Sequence, residues 1–310
     1  MNLSSIPILP AETWLVALNP ISGRGRGLHW RSAIEAHLAA RGQCFHTVVS
    51  GYAGGTVDLV AEAVRRGCRR VLVVGGDGSL SEAVNGLFAQ AVVSPAAVTL
   101  ALLPVGTGND WGRSHAVPTA PEAAIELAVR GVPRPHDAGV IDFSATGARR
   151  WFVNVAGCGF DAAVVERMPS RRWGRLAYLI GLLRGLSAYR MLPLSLTVDG
   201  RTEYAQALVA FTCIGSTCGG GMKVAPNARD DDGLLDVTLI HYLKAWEILR
   251  DVRRLFDGSL LSHPQVSSWQ TNRVELDGEL GTPVEADGET VGHLPATVTV
   301  VPGALMLVQP

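Results

Sequence analysis

The stretch Val71-Leu72-Val73-Val74, followed by GGDGSLSEAVNG at 75–86, decides the fold of the first part of this chain. Four consecutive apolar residues, most of them β-branched, predict a strand that is buried on both faces, as in a parallel sheet. The glycines that follow allow positive φ and let the backbone approach a ligand closely. A helix predicted from about Leu80 to Gln90 would point its free amides at that ligand, an arrangement typical of phosphate binding.

Similar strand-like runs occur on both sides of this stretch, at Trp14–Leu18, Phe45–Val49 and Val98–Leu103. Each is followed by a turn and then by a helical pattern, which predicts an α/β domain with a parallel sheet. The last run leads into a second glycine loop, PVGTGND at 104–110. Loops at the carboxyl edge of such a sheet are where ligands bind. Neither a Walker A motif nor a GxGxxG fingerprint is present, so a nucleotide would be held by a different scheme.

Two interpretations of the first glycine loop remain open at this point. In the functional one, Asp77 orients a magnesium ion or a hydroxyl nucleophile beside bound phosphates. In the structural one, the loop is a simple turn, and the Ser79-x-x-Glu82 spacing forms a capping box at the start of the helix. The second loop, GTGND, could likewise be a βα turn with an Asn or Asp cap.

The pattern changes near Pro133, where period-two segments become dominant. The segments are Trp151–Val155, Leu194–Val198, Ala205–Phe211, Leu234–Ile240, Arg273–Leu276 and Ala296–Val301. Three Asp-Gly pairs, at 199–200, 277–278 and 287–288, predict hairpin turns. We therefore predict a nucleotide-binding α/β domain over 10–132 and a mainly antiparallel β-sandwich over 133–310, whose extreme C-terminus can return to the first domain. Helices are predicted near 173–189 and 244–257.

Composition narrows the class of protein. The 310 residues are 47% hydrophobic and 18% charged, which allows a large core. The formal net charge of −1 gives no general attraction to nucleic acid, so we expect no nucleic-acid partner. Five scattered cysteines without a CxxC motif indicate a reducing compartment. Without an apolar run long enough for a spanning helix, we expect a cytoplasmic protein.

Four sequence blocks, in order along the chain, resemble the diacylglycerol kinase catalytic-domain family, which includes bacterial lipid kinases and the sphingosine and ceramide kinases. The blocks are NPISG at 19–23, GGDGSLSEAVNGL at 75–87, LPVGTGNDWGRS at 103–114 and GGGMKVAPNARDDDGLLDV at 219–237, with a further match at Asp287-Gly288-Glu289. The GGDG loop alone is shared with NAD kinases and phosphofructokinases. The VAPNA-x-x-x-DG block is the discriminating one.

The resemblance implies an ATP- and Mg²⁺-dependent kinase that phosphorylates a hydroxyl of diacylglycerol or a similar lipid. It implies ATP contacts for nine residues: Asn19, Ser50, Gly75, Gly76, Asp77, Gly78, Ser79, Glu82 and Thr107. Serines stand at positions 50 and 79 where threonine is commoner in the family, and both keep the hydroxyl.

By the same resemblance, a structural magnesium ion would bind Asp232 and the backbone carbonyls of Arg229 and Leu234. Arg229 replaces a small or variable residue, which does not affect a carbonyl ligand. Glu289 matches the family's proposed proton acceptor, and Asp77 competes for that role. Both are therefore candidate catalytic residues. Without the family pattern, Asp287-Gly288-Glu289 is equally a type I′ hairpin turn.

The segment 171–184 is basic and strongly apolar, and contains Arg171, Arg172 and Arg175. It could rest reversibly on a membrane, where the lipid substrate lies, or pack one face into a core. Two other functions remain open, an NAD kinase-like enzyme and a nucleotide-binding regulator that has lost catalysis. The first would leave the VAPNA-x-x-x-DG block unexplained, and the intact Asp77 and Glu289 argue against the second. A homodimer is also compatible with the sequence.

Overall fold

The computed structural model describes residues 6–159 and 192–310. The helix predicted near 173–189 and the segment 171–184 lie outside these residues. The chain folds as two compact units: one contains the residues up to His136 together with Gly303–Pro310, and the other is Asp137–Pro302. The chain passes between the units within one strand, Val132–Phe143, and again within the last, Ala296–Gln309.

The first unit is built on a parallel sheet. Its strands are β1 (Trp14–Leu18), β2 (Phe45–Val49), β3 (Arg70–Gly75) and β4 (Thr99–Pro104). Their order is β2–β1–β3–β4, all parallel, and Met306-Leu307 pair in parallel with Thr99-Leu100 on the outer side of β4. In register, Leu18 lies between Val49 and Val74, so the strands end together and the loops that follow them start at one edge.

Helices cover both faces of this sheet because its strands are apolar on both sides. They are α1 (Arg26–His29), α2 (Arg31–Ala40), α3 (Gly55–Arg65), α4 (Asp77–Ala89), α5 (Asp110–Ser114) and α6 (Pro121–Arg130). Side chains of α2 and α6 pack with alternate residues of β1, β3 and β4 in one core cluster. Helices α3 and α4 contact β1, β3 and each other.

The second unit is mainly antiparallel. Its strands are β5 (Val132–Phe143), β6 (Arg149–Phe152), β7 (Val155–Gly159), β8 (Leu192–Val198), β9 (Arg201–Cys213), β10 (Leu235–His241), β11 (Val266–Thr271), β12 (Arg273–Gly278), β13 (Pro283–Ala286), β14 (Glu289–His293) and β15 (Ala296–Gln309). Two short helices follow β10, α7 (Ala245–Asp251) and α8 (Arg254–Asp257). The predicted fold class is confirmed, with parallel strands first and antiparallel strands after.

The thirteen-residue strand β9 organises this unit. Its first half pairs with β8, and its second half pairs with both β7 and β10. Because successive strand residues point to opposite faces, Ala210 joins one core cluster while Val209 and Phe211 join another. Helices α7 and α8 cover the second cluster with Ile248 and Leu255.

Two of the three predicted Asp-Gly hairpins are present. Asp199 (φ +50°) and Gly200 (φ +75°) join β8 to β9, and Asp287 (φ +49°) and Gly288 (φ +85°) join β13 to β14. The third prediction is wrong: Asp277 and Gly278 lie inside β12 and pair with β8. Pairing with a neighbouring strand there overrides the local turn preference.

Asp287 holds its hairpin against the strand segment beside it. Its Oδ2 accepts the Val153 amide at 3.0 Å, and its Oδ1 accepts the amides of Asn154 at 3.0 Å and Val155 at 3.3 Å. The carboxylate is buried. Three buried amides therefore depend on one side chain for an acceptor.

We expect Asp287→Ala to lower the free energy of unfolding by about 2–4 kcal/mol, because it leaves buried amides unsatisfied. Asp199→Ala is the matched control, since it removes the same side chain from the same turn position, where Asp199 accepts only the Thr271 hydroxyl among the contacts described. Urea denaturation of both variants measures the difference. Equal losses would show that turn strain, and not the amide contacts, carries the effect.

Candidate active site

Two glycine loops touch at the carboxyl edge of the parallel sheet. A Cβ on Gly76 would lie 3.0 Å from the Gly106 Cα, and a Cβ on Gly106 would lie 2.6 Å from the Gly76 Cα. Any side chain at either position would push the loops apart. The loops that the sequence analysis placed on neighbouring strands are thus in direct backbone contact.

Asn19 and Ser79 connect a third loop, which follows β1, to this pair. The Asn19 Nδ2 donates to the Ser79 Oγ at 3.0 Å, and the Asn19 Oδ1 accepts the Ile21 amide at 3.2 Å. The Ser22 Oγ lies 3.4 Å from the Ser79 Oγ. Two predicted site residues from separate blocks therefore meet in one hydrogen-bond network.

Arg26 also connects these loops, although the sequence analysis did not single it out. Its Nε donates to the Gly23 carbonyl and its Nη2 to the Val105 carbonyl, both at 3.1 Å. Gly23 has a φ of +57°, and a Cβ there would lie 2.0 Å from the Val105 oxygen. The only sequence signal was an arginine in the run SGRGRG, whose partner is 79 residues away.

Helix α4 starts earlier than expected, at Asp77, and Gly76 is its N-cap without a side-chain hydrogen bond. The capping-box interpretation of Ser79 and Glu82 is therefore wrong. The first-turn amides of α4 carry the positive end of the helix dipole and face the glycine loops, which suits an anion.

Glu82 instead caps a different helix. Its two carboxylate oxygens accept the amides of Gly54 and Thr56, each at 3.1 Å, at the N-terminus of α3. The side chain is buried. Glu82 thus shapes the loop after β2, which begins with the buried Ser50, whose amide donates to the Leu18 carbonyl at 2.9 Å. Contact of Glu82 or Ser50 with ATP stays a prediction.

Two carboxylates converge on Gly108. A Cβ on Gly108 would lie 2.9 Å from the Asp77 Oδ2 and 3.5 Å from the Asp110 Oδ2. The Asp77 Oδ1 accepts the Trp111 amide at 3.1 Å. Burial, together with the negative charge of Asp110, raises the pKa of Asp77 above its usual value.

Asp110 is the acid that the sequence analysis noted only as part of a loop. It is buried and forms an ion pair with Arg113 at 2.8 Å. Paired carboxylates that repel each other are a suitable donor set for a divalent cation with oxygen ligands. The residues present here fit a magnesium ion.

The second loop is fixed by its own asparagine. Asn109 has a φ of +51°, and its Nδ2 donates to the Gly106 carbonyl at 2.9 Å. Its Oδ1 is buried and accepts no hydrogen bond within the part of the chain that the structure describes. Thr107 is exposed on the same loop. Its contact with ATP stays a prediction.

Glu289 lies in the second unit, as the first residue of β14. Its Oε2 forms an ion pair with the Arg150 Nη2 at 2.9 Å, and its side chain is 42% exposed. Two neighbouring acids, Glu285 and Asp287, are buried and accept backbone amides. Of the three acids in this hairpin, Glu289 is thus the most accessible to a substrate.

The acidic turn 229–234 is also in the second unit. The Asp232 Oδ1 accepts the Leu234 amide at 3.0 Å, and Asp231 pairs with the Arg229 side chain at 3.2 Å. Asp232 and Asp231 are exposed. The local hydrogen bond turns the Asp232 carboxylate back towards its own turn.

Asp236 is a further acid near this turn that the sequence analysis missed. Burial raises its pKa, and the charge of Asp232 adds to that effect. Its Oδ2 is buried and accepts no hydrogen bond among the described residues. Its Oδ1 accepts the Gln270 Nε2 at 3.4 Å. A carboxylate with one unpartnered oxygen beside a second acid fits a cation with oxygen ligands. The spacing of Asp232 and Asp236 within the DDDGLLD run was the available signal.

Comparison with known proteins places these features in a family. Residues 13–141 match the family model for the diacylglycerol kinase catalytic domain, and residues 154–309 match the YegS C-terminal NAD kinase beta sandwich-like domain. A diacylglycerol kinase of Mycobacterium tuberculosis is 36% identical over 297 residues, which cover 94% of this chain and 93% of the relative. The chain belongs to the diacylglycerol kinase family.

Other relatives agree with this assignment. A YegS-like lipid kinase of Shewanella frigidimarina is 30% identical and covers 88% of this chain and 87% of its own. The crystal structure of a diacylglycerol kinase from Bacillus anthracis superposes with a TM-score of 0.75 at 21% identity, covering 96% of this chain and 97% of its own. The relatives from Mycobacterium tuberculosis and Shewanella frigidimarina identify the chain as a lipid kinase. The Bacillus anthracis structure, at 21% identity, shows the fold alone.

Within the described ranges 6–159 and 192–310, the kinase has no helix with the length and hydropathy needed to cross a bilayer.

We expect Asp77→Asn to stabilise the ligand-free kinase at neutral pH, by about 3 °C in Tm. The folded state of the wild type holds the Asp77 proton more tightly than the unfolded chain does. Its free energy of unfolding therefore falls as the pH rises above about 4, the ordinary Asp pKa, and stays lower above the folded-state pKa. An asparagine removes this loss and can still accept the Trp111 amide.

Thermal melts of both proteins between pH 4 and pH 8 measure the effect. The two curves should converge at the acidic end and separate as the pH rises. Asp142→Asn, which changes an exposed acid paired with Arg149, is the control and should not gain stability with pH. A pH-independent difference for Asp77→Asn would contradict the role of its charge.

Proposed function

We propose that this lipid kinase transfers the γ-phosphoryl group of ATP, in the presence of Mg²⁺, to a hydroxyl of diacylglycerol or a similar lipid. The observation that carries the proposal is the contact between Gly76 and Gly106 at the uncapped start of α4. Relatives that are named diacylglycerol kinases support the lipid acceptor.

The chain's own groups account for binding of the phosphates. The amides of Gly76–Gly78 and the first turn of α4 supply donors, and the helix dipole adds a positive potential. Ser79 and Asn19 hold the loop after β1 beside these amides. Since glycines line the loops, the phosphates can approach the backbone without a steric barrier.

Asp77 and Asp110 would hold the magnesium ion of the reaction. Asp232 and Asp236, with the carbonyls of Arg229 and Leu234, would hold a structural one. A bound magnesium ion neutralises the charge that develops on the transferred phosphoryl oxygens. Burial, together with the charge of Asp110, raises the pKa of Asp77 and disfavours its ionised form in the free protein.

Glu289 would receive the proton of the lipid hydroxyl. A new bond forms between that oxygen and the γ-phosphorus while the bond from phosphorus to the departing ADP oxygen breaks. The proton passes from the hydroxyl to the Glu289 carboxylate. The Arg150 ion pair orients this carboxylate, which is what a base in phosphoryl transfer chiefly requires.

The test is an acceptor panel with the purified kinase, Mg²⁺ and radiolabelled ATP. The acceptors are diacylglycerol, sphingosine, ceramide, undecaprenol and NAD, each in the same detergent, with water as the blank. We expect label in a lipid, with diacylglycerol the best acceptor. Label in NAD alone would support an NAD kinase, and no transfer to any acceptor would support a nucleotide-binding regulator.

We expect Glu289→Gln to lower kcat by about 100-fold or more, with little change in the KM for ATP, because the lost group would act on the acceptor. Its Tm should change little, since the side chain is half-exposed. Glu275→Gln, an exposed change in the same unit that also breaks an arginine pair, is the matched control. An unchanged kcat with a large loss of ATP binding would make Asp77 the base instead.

A further inference from the structure

Exposed apolar side chains are concentrated after β10. Eleven large hydrophobic residues are exposed in the described part of the chain, and three of them fall between 242 and 249. They are Tyr242, Trp246 and Leu249, at 41%, 55% and 47% exposure. A cluster of this kind, with an aromatic residue at its centre, marks an interaction surface more often than a single exposed residue does.

The backbone places Trp246 and Leu249 on one helix face, with Tyr242 three residues before the helix. Val252 (φ −53°, ψ −30°) and Arg253 (φ −60°, ψ −29°) keep right-handed helical angles, so α7 and α8 follow one another as nearly one helix. Gly258, with a φ of +86°, ends it. Ile248 and Leu255, seven residues apart, pack into the core of the second unit.

The opposite face carries Trp246, Leu249, Arg250 and Arg253, whose spacing of three, four and seven residues aligns them on a helix. We call these four residues and Tyr242 the 242–253 face. The Arg250 guanidinium lies 5.0 Å from the centre of the Trp246 ring. The face thus combines apolar and cationic groups.

The charges around this face are unevenly exposed. Lys244, Arg253 and Lys223 are exposed, and the Lys223 Nζ lies 3.9 Å from the Cβ position of Gly258 at the helix end. The acids near this face are engaged in local contacts: Glu247 accepts the Lys244 amide at 2.7 Å, and Asp251 is 17% exposed. Asp257, at the exposed end of the helix, accepts the Ser259 amide at 2.9 Å. The partners of Asp251 are Arg250 at 2.6 Å, Arg254 at 3.7 Å and His263 at 3.4 Å.

We propose that the 242–253 face docks the kinase on an anionic lipid bilayer. Trp and Tyr side chains favour the boundary between headgroups and acyl chains, and lysine and arginine beside them are attracted by anionic lipid. The excess of exposed cations here contrasts with the net charge of −1 for the whole chain. The inference rests on a lipid substrate, which lies in a bilayer, but it does not depend on ATP or on the identity of the acceptor.

Sedimentation with sucrose-loaded vesicles, in the absence of nucleotide, tests the proposal on the full chain. The vesicles are phosphatidylcholine alone or equimolar phosphatidylcholine and phosphatidylglycerol. We expect binding to the anionic vesicles, and a loss of about 10-fold or more when Trp246→Ser and Leu249→Ser are combined. Tyr204→Ser, which removes an 82% exposed aromatic residue of β9, should leave binding unchanged.

Reversing one charge on the 242–253 face separates the electrostatic contribution to vesicle binding from the apolar one. Arg253→Glu should weaken binding to the anionic vesicles by about 10-fold and reduce its dependence on salt. Arg201→Glu makes the same charge change at an exposed position in the β8–β9 hairpin and should have little effect. Equal effects of the two variants would indicate attraction by overall charge and overturn the proposal.

Fluorescence reports directly on Trp246. Vesicles should shift the emission of the wild type to shorter wavelengths, whereas Trp246→Phe should keep most of the binding and lose most of the shift. All variants are first compared by Tm and by kcat on a short-chain diacylglycerol below its micellar concentration, which should not change. If the Ser double variant instead abolishes a concentration-dependent dimer and keeps vesicle binding, the face contacts a second copy and the proposal is wrong.

Discussion

The backbone contact between Gly76 and Gly106 is the constraint on which the site depends. It exists because β3 and β4 are adjacent, parallel and in register, so their following loops start side by side. It needs two glycines, since a Cβ on either would lie within 3.0 Å of the other loop. Once the two loops touch, the amides at the start of α4 point into one concave edge. Asn19 and Arg26 then fasten the β1 loop to the same edge through Ser79 and the Val105 carbonyl. The fold therefore brings three loops together before any ligand contributes.

The same edge also holds a repulsive pair of acids. Asp77 and Asp110 flank Gly108, and their repulsion adds to the cost of burial. In the second unit, Asp236 is half-buried, and the charge of the exposed Asp232 adds to the effect of burial on its pKa. Such pairs reduce stability in the free protein, because a raised pKa means that the folded state disfavours the ionised form. Carboxylate pairs of this kind contribute nothing to the packing of an apolar core. Cations with oxygen ligands, if they bind at the two pairs as proposed, would replace this repulsion with attraction.

Local features were predictable from the sequence, and long-range ones were not. The apolar runs, each with a turn or glycine loop after it, predicted the parallel strands, and Asp-Gly pairs predicted two hairpins. The Asp277-Gly278 hairpin prediction failed because both residues pair with β8, in a strand whose preceding residues also pair with β15. Glu82 was assigned to its own helix, but its amide partners lie 26 and 28 residues earlier on α3. Arg26 could not be assigned from its local sequence, because its carbonyl partner at Val105 lies 79 residues away and only the fold brings it near. The domain boundaries and the site roles of Ser50, Thr107 and Glu289 stay predictions.

The two Asp-Gly hairpins show how one local motif acquires two roles. Both aspartates adopt the same left-handed conformation, so the turn itself is specified locally. What differs is the neighbouring chain: Asp199 accepts a threonine hydroxyl, whereas Asp287 accepts the three amides of residues 153–155, where the chain passes from β6 into β7. That segment begins three residues after Arg150 of β6, which pairs with Glu289. The carboxylate of Glu289 is therefore fixed twice by one stretch of chain, once through the turn that precedes it and once through its own ion pair. A base that orients a hydroxyl, the role proposed for Glu289, must itself be held from more than one side. This hairpin has that restraint, whereas the Asp199 hairpin has no such contact among the described residues.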